Sequence, residues 1–127
     1  MNQEPNLLVV DDSAAIRKIL VRVLQQTNIP LGQVLEAGDG KEALSVLEGH
    51  VISLVLSDVN MPNMDGIQLL RTLRGSTQWQ SLPVVMITTE GSQARVQEAI
   101  ELGATAYIRK PFSADQLREK LTGLLTK

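Results

Sequence analysis

The chain has 127 residues, which suits one domain able to bury roughly two-thirds of its unfolded surface. Hydrophobic residues make up 43% and charged residues 20%, a balance that excludes a disordered chain, and aromatics at only 2% leave the core to aliphatic side chains. The net charge of −2 lacks the basic surplus of a nucleic-acid surface, and the absence of cysteine removes disulfides, thiolate metal sites and cysteine nucleophiles.

His50 is the single histidine, so neither a histidine metal cluster nor a Ser-His-Asp triad is expected. Residues 1–6 carry no basic, apolar signal segment, and no apolar run approaches the length of a membrane span. The expected compartment is the cytosol.

Short apolar runs alternate with helical patterns along the chain. Leu7–Val10, Val34–Leu35, Ile52–Leu56, Val84–Ile87 and Ala106–Ile108 are each bounded by Gly, Asp, Asn or Pro, as short buried strands are. After the first run, Ser13 is a candidate N-cap, and Ile16, Leu20, Val23 and Leu24 recur at helical spacing. Asp39-Gly40-Lys41-Glu42 has capping-box form before Ala43, Leu44 and Leu47, with Gly49 as the stop. Ile67, Leu70 and Leu73 predict a third helix ending at Gly75; Val96, Ala99 and Ile100 a fourth ending at Gly103. Ser113 to Gln116 is a second capping-box pattern, followed by Leu117, Leu121 and Leu124. Five strands separated by five helices predict an α/β fold with a parallel sheet and right-handed crossovers, both faces covered.

Ligands of such folds bind beyond the carboxyl ends of the strands. The first run ends in Asp11-Asp12, the third in Asp58, the fourth in Thr88-Thr89-Glu90 and the fifth in Arg109-Lys110-Pro111. Parallel strands gather these carboxylates, a hydroxyl and an ammonium on one edge. Adjacent carboxylates repel, so such a group demands protons or a cation, and an all-oxygen set suits Mg²⁺. A carboxylate beside Mg²⁺ and a lysine can attack a phosphoryl group. Pattern alone does not choose which aspartate attacks. Taken singly, each residue has an ordinary explanation: a capping acid pair, a turn aspartate, a strand-end threonine, a solvated lysine. Their combination is far more specific. His50 reads as an exposed loop residue without a role, and Trp79 as packing locally within the polar loop 76–81.

Four blocks carry a resemblance. Val9-Val10-Asp11-Asp12-Ser13, Ser57-Asp58-Val59-Asn60-Met61-Pro62-Asn63-Met64-Asp65-Gly66, Thr88-Thr89-Glu90 and Tyr107-Ile108-Arg109-Lys110-Pro111-Phe112 resemble, in order and spacing, the signature blocks of response-regulator receiver domains. The resemblance covers essentially the whole chain and is most like the single-domain chemotaxis regulators of that family. It implies a flavodoxin-like (βα)₅ doubly wound sheet of strand order 2-1-3-4-5, one receiver domain over residues 1–127, and no effector domain.

The same resemblance implies residue roles. Asp58 is the phosphoacceptor. Asp11, Asp12 and Asp58 hold Mg²⁺, with the backbone carbonyl of Asn60. Lys110 pairs with phosphoryl oxygens, its bond to Pro111 cis; Thr88 is the switch hydroxyl and Tyr107 the switch aromatic. Asn60 and Glu90 line the path of a hydrolytic water and imply fast self-dephosphorylation. Asp65 and Gly66 form the turn after the phosphorylation loop, Gly66 for backbone shape. A histidine kinase is the implied donor, and the target is a protein docked on the face of the fourth helix, fifth strand and fifth helix. Neither nucleic acid nor membrane is an expected partner, and the chain is expected to be a monomer. It is a phosphoprotein rather than a turnover enzyme, though it assists its own phosphorylation and dephosphorylation. Thr89, where Ala or Gly is common, and Arg109, where an apolar residue is frequent, depart from the family pattern. Arg109 is expected to point away from Lys110. Two rivals are weaker. A haloacid-dehalogenase-type phosphatase places an acid where Asn60 stands, and a non-phosphorylated scaffold typically lacks part of the acidic or lysine set.

Overall fold

A computed structural model describes residues 4–88 and 93–125. Thr89 and Glu90, named above, lie outside the described residues. Five strands, β1 (Leu7–Val10), β2 (Val34–Ala37), β3 (Leu54–Asp58), β4 (Val84–Thr88) and β5 (Ala106–Arg109), alternate with five helices. These are α1 (Ala14–Gln26), α2 (Gly40–Gly49), α3 (Gly66–Arg74), α4 (Gln93–Glu101) and α5 (Ala114–Leu125). All neighbouring strands pair in parallel, in the order β2-β1-β3-β4-β5.

Side-chain alternation along the inner strands divides the core in two. Leu8, Val10, Val55, Val84 and Met86 face α2, α3 and α4; Leu7, Val9, Leu54, Leu56, Val85 and Ile87 face α1 and α5. Burial on both faces explains why β1 and the first four residues of β3 are fully covered, whereas edge strands β2 and β5 are covered only in part.

Two strand boundaries differ from the sequence reading. β2 continues through Glu36 and Ala37, because an edge strand tolerates a charge that an inner strand would bury. β3 begins at Leu54 rather than Ile52, since β1 starts at Leu7, which pairs with Leu54 and leaves Ile52 without a ladder partner.

Helix ends follow local chemistry. Ser13 Oγ accepts from the Ile16 amide at 3.2 Å. Ser113 and Gln116 close a reciprocal capping box. At α2 Asp39 accepts from Glu42, but the Glu42 carboxylate accepts from Gly38 rather than from Asp39, so the return bond of that box is displaced by one residue. Gly103, at φ 99°, terminates α4, with Ala104 donating to Ala99 and Gly103 to Ile100. Trp79, expected to pack locally, is partly buried against the α2–α4 side of the core. Among the described residues no helix is long and apolar enough to cross a membrane.

Candidate functional site

The carboxyl ends of β1, β3, β4 and β5 converge on one crevice. Asp11 leaves β1 and is buried, with 2% of its surface exposed. Its Oδ1 accepts from the Ser13 amide at 2.9 Å, while Oδ2 lies 3.5 Å from Lys110 Nζ and is the one buried side-chain oxygen among the described residues with no hydrogen-bond partner. Asp58 ends β3, half-buried, its Oδ1 accepting from the Val59 amide at 2.8 Å. Asp12 is exposed at the rim. A carboxylate oxygen from each of Asp11, Asp12 and Asp58 lies within 4.8 Å of the others.

Burial first, and then the neighbouring charges, perturb Asp58. Burial pushes its carboxyl above the usual range; Lys110 pulls it down, Asp11 pushes it up, the Val59 amide favours the charged form, and Asp12 adds to the rise. The donor set fits a hard divalent cation. It is all oxygen and rich in carboxylate, and it includes a buried carboxylate oxygen with no hydrogen bond.

β5 delivers Lys110 through a 2.6 Å bond from its amide to the Thr88 carbonyl, and the Lys110–Pro111 peptide is cis. Thr88 closes β4 and is 2% exposed. Tyr107 and Arg109 lie outside the crevice, where they line a groove with Gln93, Val96, Gln97 and Ile100 of α4. Tyr107 is 40% exposed, and Lys120 Nζ sits 5.7 Å from its ring centroid. Asn60 is exposed, two residues past Asp58. Its loop is shaped by a Gly66-to-Val59 backbone bond, by Asn63 at φ 65°, and by Asn63 Nδ2 donating to Asp39. His50 is exposed and its ring nitrogen meets the Val46 carbonyl, outside the crevice.

Residues 7–122 match the response regulator receiver domain family. The chain belongs to that family. It is 39% identical to the chemotaxis protein CheY homolog of Campylobacter jejuni, across 94% of this chain and 91% of that one. Chemotaxis response regulator CheY4 of Vibrio cholerae superposes with a TM-score of 0.85 at 35% identity, covering 97% of this chain and 100% of the other. The receiver domain of NtrX from Brucella abortus gives 0.82 at 32%, covering 94% and 97%. This receiver is thus a CheY-like response regulator of two-component signalling, and its sheet order is the flavodoxin-like one of its relatives.

Several contacts around the crevice were not legible in the motifs. Arg17 reaches both Glu36 and the Asp11 carbonyl. Asp65 is the N-cap of α3, in a capping box with Gln68, and its other oxygen accepts from Arg95 of α4 at 2.8 Å. Buried Ser57 donates to the Asp58 carbonyl at 2.9 Å. The available signals were a charge at the end of a short apolar run (Glu36) and Asp-x-x-Gln after the loop that follows Asp58.

Proposed function

We propose that this receiver accepts a phosphoryl group on Asp58 from a phosphohistidine of a partner kinase and relays it as a change of docking preference. The observation that carries this reading is Asp58 itself: half-buried, pushed above the usual carboxylate range, and set between Lys110 and two further acids. The Val59 amide holds Oδ1, leaving the second oxygen to attack phosphorus in line. The P–N bond breaks as the O–P bond forms, and its electron pair returns to the imidazole nitrogen. Lys110 meets the negative charge on the phosphoryl oxygens. Asp11, Asp12, Asp58 and the Asn60 carbonyl would hold Mg²⁺, which when bound supplies charge neutralisation at those oxygens.

Thr88, at the end of β4, turns its hydroxyl toward the phosphoryl group, and Tyr107 moves inward from its half-exposed position. The α4-β5-α5 face then favours a different protein partner. This is a shift between two populations driven by contacts to phosphate. Asn60 and Glu90 admit the water that clears the phosphate. On this reading the receiver works in the cytosol as a monomer and promotes its own modification without turning over a substrate. Arg109, beside Tyr107 on that face, makes its output distinct from that of regulators with an apolar residue there.

Incubation with Mg²⁺ and acetyl phosphate or phosphoramidate tests the chemistry by intact mass. An adduct that requires both Mg²⁺ and Asp58 is expected. A receiver that gains no phosphoryl group from these donors or from a panel of histidine kinases is not working by this route.

A further inference from the structure

Arg17 closes the first turn of α1 with 18% of its side chain exposed. Nε donates to Glu36 Oε1 at 2.9 Å, and Nη1 donates to the backbone carbonyl of Asp11 at 2.7 Å. Glu36 lies on the edge strand opposite Val9, and its second oxygen accepts from Lys18 at 3.1 Å. The guanidinium therefore bridges β2 to the peptide joining Asp11 and Asp12.

Asp11 is held from its main chain and its side chain, and its carbonyl, the oxygen of the 11–12 peptide, is held by Arg17. The Asp11 amide donates to Ala37 at 3.1 Å, its carbonyl accepts from Arg17, and its Oδ1 accepts from Ser13, which leaves Oδ2 facing the crevice. Rotation of the 11–12 peptide would redirect both carboxylates together, because one Cα lies on each side of it. Exposed Arg–Glu pairs contribute little by attraction alone. A planar fork that engages a carboxylate and a carbonyl at once does something else: it fixes an orientation.

We infer that Arg17, anchored by Glu36, is a positioning residue that orients Asp11 and Asp12 together toward the divalent cation. The inference rests on the metal-site reading above. Charge and geometry make opposite predictions here. A cation next to an acidic pair repels Mg²⁺, so loss of Arg17 would tighten binding if charge were its whole effect. Loss of orientation weakens binding, and removal of groups that orient metal ligands typically costs about 10–100-fold in affinity.

Calorimetric titration of the full chain with Mg²⁺ separates the two. Asp12→Asn serves as the control on the site itself. Arg17→Met is expected to bind at least about tenfold more weakly than wild type. Arg17→Lys, which keeps the charge and loses the fork, is expected to bind more weakly as well, and it carries the test alone if the Met variant fails to fold. Wild-type affinity in Arg17→Lys, or equal or tighter binding in Arg17→Met, overturns the inference. A wild-type chain that binds no Mg²⁺, or binds it regardless of Asp12→Asn, removes instead the metal-site reading beneath it.

Discussion

Asp58 holds its proton to a higher pH in the folded chain than in the unfolded one, because burial outweighs the pull of Lys110. Between the ordinary aspartate range and that raised value the folded state binds more protons than the unfolded state. Stability therefore falls as pH rises through this window and stays lower above it. Asp58→Asn should remove this segment of the curve and raise the urea midpoint at neutral pH in the absence of divalent ions; a midpoint that drops would contradict the burial argument. Glu36 opposes the trend. Burial would raise its carboxyl, but Arg17 and Lys18 outweigh burial and hold it below the usual range, so its contribution is lost as pH falls. Gly66 shows a different constraint at the same scale. A Cβ there would strike the Asp58 carbonyl and come within 2.9 Å of the Met86 methyl. Backbone cannot yield as a side chain can, so Gly66→Ala should cost about 1–3 kcal/mol in urea denaturation and slow phosphorylation of the displaced Asp58. At Gly40 an added Cβ would meet Met64 Cβ, Cγ and Sδ, the near part of that side chain, so the same change should destabilise there too.

Helix α4 is attached more lightly than its neighbours. Ala99 is its only buried residue among those described, whereas α3 buries Gly66, Ile67, Leu69, Leu70 and Leu73. Polar ties supplement that small apolar contact: Arg95 to Asp65 at 2.8 Å, Arg71 to Glu98 at 3.6 Å, and Arg95 to Glu98 at 3.5 Å within the helix. Asp65 serves both helices, one oxygen capping α3 and the other receiving Arg95. The two duties separate by substitution. Asp65→Asn keeps the cap and discards the charge, so hydrogen exchange should quicken in α4 and not in α3. Asp65→Ala loses the cap too, costing about 1 kcal/mol more and exposing the first turn of α3 to exchange. Equal exchange in α4 for wild type and Asp65→Asn would show that the tie does not restrain it.

Across the whole molecule, strand order sets the distance between the acidic crevice and the outer face of β5. β3 carries Asp58 at the centre of the sheet, β4 brings Thr88 beside it, and β5, at the edge, presents Tyr107 and Arg109 to solvent. Thr88 ties the crevice end of β4 to β5 by hydrogen bond, since its carbonyl receives the Lys110 amide. Thr88→Ala should leave Mg²⁺-dependent adduct formation on Asp58 measurable by mass while removing the phosphorylation-dependent change in exchange along β5. A Thr88→Ala chain whose β5 responds as wild type does would show that the signal travels another way.

Legible along the chain were the alternation of strands and helices, the caps at Ser13 and Ser113, and residues that meet in the crevice: Asp11, Asp12, Asp58 and Lys110. These follow from periodicity and from capping within three or four residues, so neighbours along the chain suffice to specify them. Strand order came from family resemblance, because periodicity carries no information about which strand lies beside which. It took the folded chain to show that Glu36 belongs to a strand, that Arg17 crosses 19 positions to reach it, that Arg95 spans 30 to reach Asp65, and that Trp79 packs against the core. Such contacts join segments brought together by closure of the sheet, and no local pattern encodes a partner that far away. The proximity of the three acids is of the same kind: they can be read from the sequence, but their approach to within 4.8 Å exists only once β1 and β3 lie side by side.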